Sequence, residues 1–118
     1  MKMFSFDKEV GKEITAFDSK NITMSRILHS KETHHIGCMF IGSDGVVGHH
    51  QAVGAQLLLV VSGEGFVRGK EDVKTPIKAG QAAFWEPGEW HKTTSEKGMT
   101  AIIIEGENID TSAIVKLK

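Results

Sequence analysis

The chain has 118 residues, 40% of them hydrophobic, with 14 basic and 15 acidic side chains. That is enough apolar material for one proper core, and a net charge of −1 gives no field that would draw the protein to nucleic acid or to an anionic membrane. The single cysteine, Cys38, cannot form an internal disulfide. The opening MKMFSFDKEV lacks the apolar run of a secretory signal, and the apolar run 57–61 is far too short to span a bilayer. A single cytoplasmic domain over 1–118, with no nucleic-acid or membrane partner, is the expectation.

An N-terminal strand arm is expected over 1–12, where Phe4 and Phe6 alternate with polar residues, laid along a sheet edge. Residues 13–17 and 22–28 read as a hairpin joined by Asp18-Ser19-Lys20-Asn21, a cluster of turn formers. Ile22, Met24, Arg26 and Leu28 share one face, which puts Arg26 either at a rim or paired inside a pocket. His29, His34 and His35 flank a loop ahead of a strand over 36–41. Successive strand residues point to opposite faces, so at most one of His34 and His35 faces the interior, and loop histidines are ordinarily solvated. Cys38 reads as a small core residue rather than a reactive thiol.

The strand 56–62 is apolar at odd and even positions alike, so both of its faces must be covered. One cover is the core. The other is a second layer or another subunit, which makes a homodimer the expected assembly. Residues 62–65 read as a turn into 66–68, 69–75 as a charged, solvated loop, and 76–80 as the return to a strand over 81–85. A turn at Pro87-Gly88 leads to His91. A last hairpin turn at 95–98 opens the strand 99–105, and the tail 106–118 reads as a short strand or helix against the outside. About eight to ten short strands and no convincing helix give an all-β sandwich or barrel.

Two segments between 43 and 95, GVVGHHQAVGAQLLLVVSGEG and GQAAFWEPGEWHKTTS, carry the chemistry. In the first, His49, Gln51, Gln56 and Gly63 occupy the positions of a histidine, a second histidine, a glutamate and a glycine in a known motif, and Ser43 falls where it opens with glycine. In the second, Gly80, Gly88 and His91 match; Pro87 is displaced by one, with Glu86 at its mark, and Ser95 replaces an asparagine. Together they resemble the two motifs of the cupin superfamily, with a motif core over 43–95. The resemblance implies a single-domain jelly-roll β-barrel that holds a metal or a small ligand in its mouth.

Strand parity puts His49 and Gln51 on one face and His50 on the other. In the register the resemblance implies, His49, Gln51, Gln56 and His91 converge on a divalent transition metal (Zn, Ni, Fe, Mn or Cu), and His50 points away. A shifted register would bring His50 and Ala52 inward and is the poorer donor set. Two imidazoles and two carboxamides can hold such an ion, but the missing carboxylate weakens affinity. Glu86 or Glu89, beside the Pro87 turn, could supply one, although a surface glutamate is the plainer reading. Trp85 and Trp90 read as packing residues or as the aromatic wall of a ligand pocket, with Gln51 and Gln56 as its polar groups. Three functions stay open: a metal-dependent enzyme acting on a small polar metabolite, a metal-poor cupin binding a sugar or organic acid, and a structural or regulatory dimer.

Overall fold

The computed structural model describes residues 1, 3–5, 7–29, 34–112 and 114–116. Eight strands run in order: β1 Lys12–Glu13, β2 Lys20–His29, β3 His35–Gln51, β4 Ala55–Arg68, β5 Thr75–Lys78, β6 Ala82–Trp85, β7 Trp90–Ser95 and β8 Met99–Gly106. All pairings among them are antiparallel. The first halves of β3 and β4 both pair with β8, and their second halves both pair with β7. The circuit β3–β8–β4–β7 therefore closes on itself, which makes the protein an all-β jelly-roll barrel.

Two strands are longer than their sequences suggest. The turn expected over 62–65 is a bend inside β4: Gly63 takes a φ of 78°, the pairing with β8 slips between Val60 and Ser62, and pairing resumes with β5 at Glu64. A positive φ is cheap for glycine, so the chain is turned from one wall of the barrel to the other without being reversed. Reversal comes in the charged segment, where Arg68 Nη1 and Asp72 Oδ1 pair at 3.2 Å. β3 likewise continues through Gly42–Gly45, where Asp44 has a φ of 56°.

The hairpin of the N-terminal third is present in shortened form. Lys12 and Glu13 pair with Met24 and Thr23, while Ala16–Asp18 forms a 3₁₀ turn rather than strand. Among its described residues the arm ahead of Lys12 is not strand either: Lys8–Val10 is a 3₁₀ turn capped by Asp7, and Phe4 is exposed. Phe6 and the loop 30–33 lie outside the described residues.

Inside the barrel, Ile22, Met39, Ile41, Leu58, Ala101 and Ile103 form the centre of the core. Cys38 is buried as well, and burial pushes its thiol pKa up, as befits a packing residue. On the outer face of β4, Leu57 is buried and Leu59 half-buried, but Val61 is 55% exposed. Part of this face is roofed by the chain's own tail: Leu57, Leu59, Phe84, Ile114 and Val115 border a groove of about 860 Å³. Beyond Gly106, where β8 ends, the described residues of that tail are neither strand nor helix.

Candidate functional site: a histidine pair in the barrel mouth

The mouth lies where β3 ends and β4 begins. From Val47↔Thr93 the β3–β7 register slips to His50↔His91, with Gly48 and His49 as the irregularity. This bulge inserts one residue into β3 and reverses the parity of the strand beyond it. His50, expected to point away, is therefore opposite His91, and Ala52 is buried. The register that seemed the poorer from sequence is the one adopted, because a period of two cannot be counted through a bulge.

His91 is the most enclosed group of the site. It is 2% exposed, and among the described residues neither ring nitrogen has a hydrogen-bond partner. Its ring centroid is 4.3 Å from that of His50 and 4.7 Å from that of Trp85. Burial first, then the neighbouring His50 and His49, lowers its pKa to about 4, so at neutral pH the ring is an uncharged imidazole with one donor and one acceptor. The His50 ring stacks on Phe17 at 4.2 Å, and its Nδ1 lies 2.7 Å from the Gly48 carbonyl oxygen. Since a carbonyl only accepts, Nδ1 carries the proton and Nε2 keeps a lone pair.

The other expected site residues are distributed differently. His49 is exposed, with its ring 4.9 Å from that of Trp90, itself 45% exposed. Gln51 is exposed, and its Nε2 donates to the Gly88 carbonyl at 3.0 Å. Trp85 is buried, with Nε1 donating to the Arg68 carbonyl at 3.1 Å. The Glu89 carboxylate accepts the Glu86 backbone N–H at 3.2 Å and so closes the Pro87 turn; Glu86 is exposed. Ser95, in the asparagine position, ties two turns together: its Oγ donates to the Glu64 carbonyl at 2.6 Å and accepts the Gly98 N–H at 2.9 Å. His34 is exposed, and His35 is half-buried opposite Glu105.

Gln56 faces inward with Leu58 and Val60, 8% exposed, and pairs with Trp85 on one side and Glu105 on the other. Gln56→Glu would bury a carboxylate directly opposite a second one, and like charges across a strand pair repel. The variant should lose about 1–3 kcal/mol of stability at pH 7 and recover part of it at pH 5, as urea melts at the two pH values would read. Unchanged stability together with tighter zinc binding would instead place a cation beside Gln56.

A tightly held metal does not fit these residues. Among the described residues no three His, Cys, Asp or Glu side chains are grouped to hold an ion. The expected set of His49, Gln51, Gln56 and His91 is not assembled around one point: Gln51 is committed to Gly88, and His50 occupies the place beside His91. Two residues of consequence were not in the expected site, although the shifted register had brought His50 inward. Phe17 sits in a turn at a φ of 58°, and His50 needed knowledge of the bulge.

A jelly-roll barrel with histidines in its mouth defines a class of small β-barrel binding proteins and enzymes. The chain belongs to the Cupin domain family, whose model matches residues 40–106. Among solved structures it is similar to a predicted oxalate decarboxylase from Thermotoga maritima, with a TM-score of 0.75 and 18% identity over 87% of this chain and 98% of that one. It is also similar to an RmlC-like cupin from Shewanella frigidimarina NCIMB 400 (TM-score 0.73, 18% identity, 98% and 97% covered). A Cupin 2 conserved barrel domain protein from Salinispora arenicola CNS-205 superposes with a TM-score of 0.73 at 11% identity, covering 92% and 90%. Identities this low speak for the fold alone. No curated protein sequence matches the chain.

Proposed function

We propose that this cupin binds a small polar molecule in the barrel mouth through His50 and His91, and that it does so without a tightly held metal. The observation that carries the reading is His91: a buried ring with two unpartnered nitrogens. Buried polar atoms are nearly always satisfied, and each one left bare costs about 1–3 kcal/mol. A ligand offering an adjacent donor and acceptor, as a hydroxy or carbonyl compound does, removes that cost. The neutral ring suits it, because an imidazolium could only donate.

A divalent transition metal (Zn, Ni, Fe, Mn or Cu) is the competing occupant, and one feature favours it. A histidine whose Nδ1–H bonds a backbone carbonyl presents Nε2 as metal-ligating histidines do, and His50 is so arranged. Against it stands the donor set: two neutral imidazoles with no carboxylate grouped beside them. Metal analysis of untagged protein, followed by titration with zinc and with a panel of sugars and organic acids, separates the two. The proposal expects less than one metal per ten chains, weak zinc binding, and at least one organic ligand that loses tenfold or more in affinity in His91→Phe. Stoichiometric native metal lost in His50→Ala and His91→Ala would overturn it.

The same reading includes a homodimer in the cytoplasm as the working form. It draws on Val61 and Val115, 55% and 91% exposed beside the apolar outer face of β4. Sedimentation showing only a 12.9 kDa species at micromolar concentration would remove the dimer without touching the ligand site.

A further inference from the structure

A second polar cluster opens on the same mouth and takes no part in the histidine pair. On the inner face, Arg26 of β2 is opposite Gly37 of β3, and His35 of β3 is opposite Glu105 of β8. These residues border a cavity of about 320 Å³ whose apolar lining includes Met24 and Ile103. Gly37 makes the room: a Cβ there would lie 2.7 Å from Met24 Sδ. Glu105 is also opposite Gln56, which is opposite Trp85, whose ring touches His91. Adjacent strands are spaced by about 4.8 Å, so Glu105 lies about 10 Å from Trp85 along this row, and the His91 ring lies one ring contact of 4.7 Å beyond Trp85.

The charges of this cavity are of opposite sign and do not neutralise each other. Arg26 and Glu105 are both exposed at its rim, and among the described residues no ion pair joins them, the one present being Arg68–Asp72. Their strands are separated by β3. A cation and an anion facing each other across a small, partly apolar cavity complement a molecule that carries both charges itself. Guanidinium holds a carboxylate bidentately, and a carboxylate accepts from an ammonium.

We propose that this cavity receives the zwitterionic head of a small amino acid or amino-acid-like ligand, with its carboxylate on Arg26 and its ammonium on Glu105. This head site is separate from the histidine pair, which does not border the cavity. The site makes a distinction that a hydroxy acid or a simple organic acid would fail, since either leaves Glu105 without a counter-charge.

The test is a titration followed by NMR, with the common L-amino acids as probes and the Met24 methyl and His91 ring resonances as separate reporters. At least one amino acid should shift Met24 saturably, binding at least tenfold more weakly as its carboxamide and in Arg26→Gln, and several-fold more weakly as its hydroxy-acid analogue and in Glu105→Gln. Both substitutions are at exposed positions, and thermal melts confirm that the variants are folded. Failure of every amino acid to move Met24, or equal binding by both variants, overturns the inference. If a sugar or an organic acid moves His91 while Met24 stays silent, the inference falls and the histidine site stands. If Met24 responds to an amino acid and His91 does not, the amino-acid head site stands on its own.

Discussion

Gly48→Ala should lower stability by about 3 kcal/mol or more and uncouple His50 from Phe17. At this position a Cβ would fall on the Phe17 carbonyl oxygen, a backbone atom that cannot rotate aside as a side chain would. Overpacking in a fixed environment costs about 1–3 kcal/mol and occasionally more. Here the displaced segment also gives up the bond from the Gly48 N–H to Ser19 Oγ at 3.1 Å and the parallel stack of Phe17 on His50. Urea denaturation gives the energy, and the His50 ring resonances report the loss of the stacked aromatic. A variant with wild-type stability and unchanged His50 shifts would show that the turn Ala16–Asp18 does not press on the bulge as described. Phe17→Leu is the control: it keeps the backbone contact and removes the stack, and should cost about 1 kcal/mol.

Acid should weaken the fold through His91, and its lowered pKa sets the direction. The ring titrates near 6.5 when unfolded and near 4 when folded, so between these values the unfolded chain binds the extra proton. The contribution is fully present above about pH 6.5 and is lost as pH falls toward 4. At 1.36 kcal/mol per pKa unit, the total is on the order of 3 kcal/mol. His91→Phe keeps an aromatic ring against Trp85 and His50 and cannot be protonated. Denaturant unfolding of the two proteins between pH 7 and pH 4 should show wild type losing on the order of 3 kcal/mol more than the variant. Parallel pH profiles would refute the buried neutral state of His91.

The fold could be read from the sequence because its markers are local. Gly63, Gly80, Gly88 and Gly98 all adopt positive φ, and glycine is where such geometry is expected. The apolar run 56–62 foretold a strand with one face in the core, although its outer face is covered only in part, with Val61 55% exposed. The strand expected over 36–41 was extended because Gly42–Gly45 bends the chain without ending its pairing. The site was harder. Whether His49 or His50 faces His91 depends on one inserted residue at Gly48–His49, and the group packed on that bulge is Phe17, 31 positions earlier in the chain. No period within 43–51 contains that information. Arg26, His35 and Glu105 were likewise beyond reach, since only the pairing of β3 with both β2 and β8 brings them to one cavity; for Arg26 both a rim and a pocket position had been open, and it occupies the rim of one.

The circuit β3–β8–β4–β7 has a consequence for how the chain is made. β8 leaves the ribosome after both β3 and β4, yet it seals them to each other along Ile36↔Ile104 and Leu57↔Ile104. Until it is synthesised, Met39 and Leu58 have no neighbour across that seam, and the apolar run of β4, paired with β6 on its other side, presents one unpaired edge of a kind that readily joins other chains. Pairings that span so much of the sequence also close slowly, on the millisecond-to-second scale of β-barrels. The nascent protein is therefore vulnerable for as long as β8 is missing, and Met99–Gly106 acts as the fastener that ends that interval.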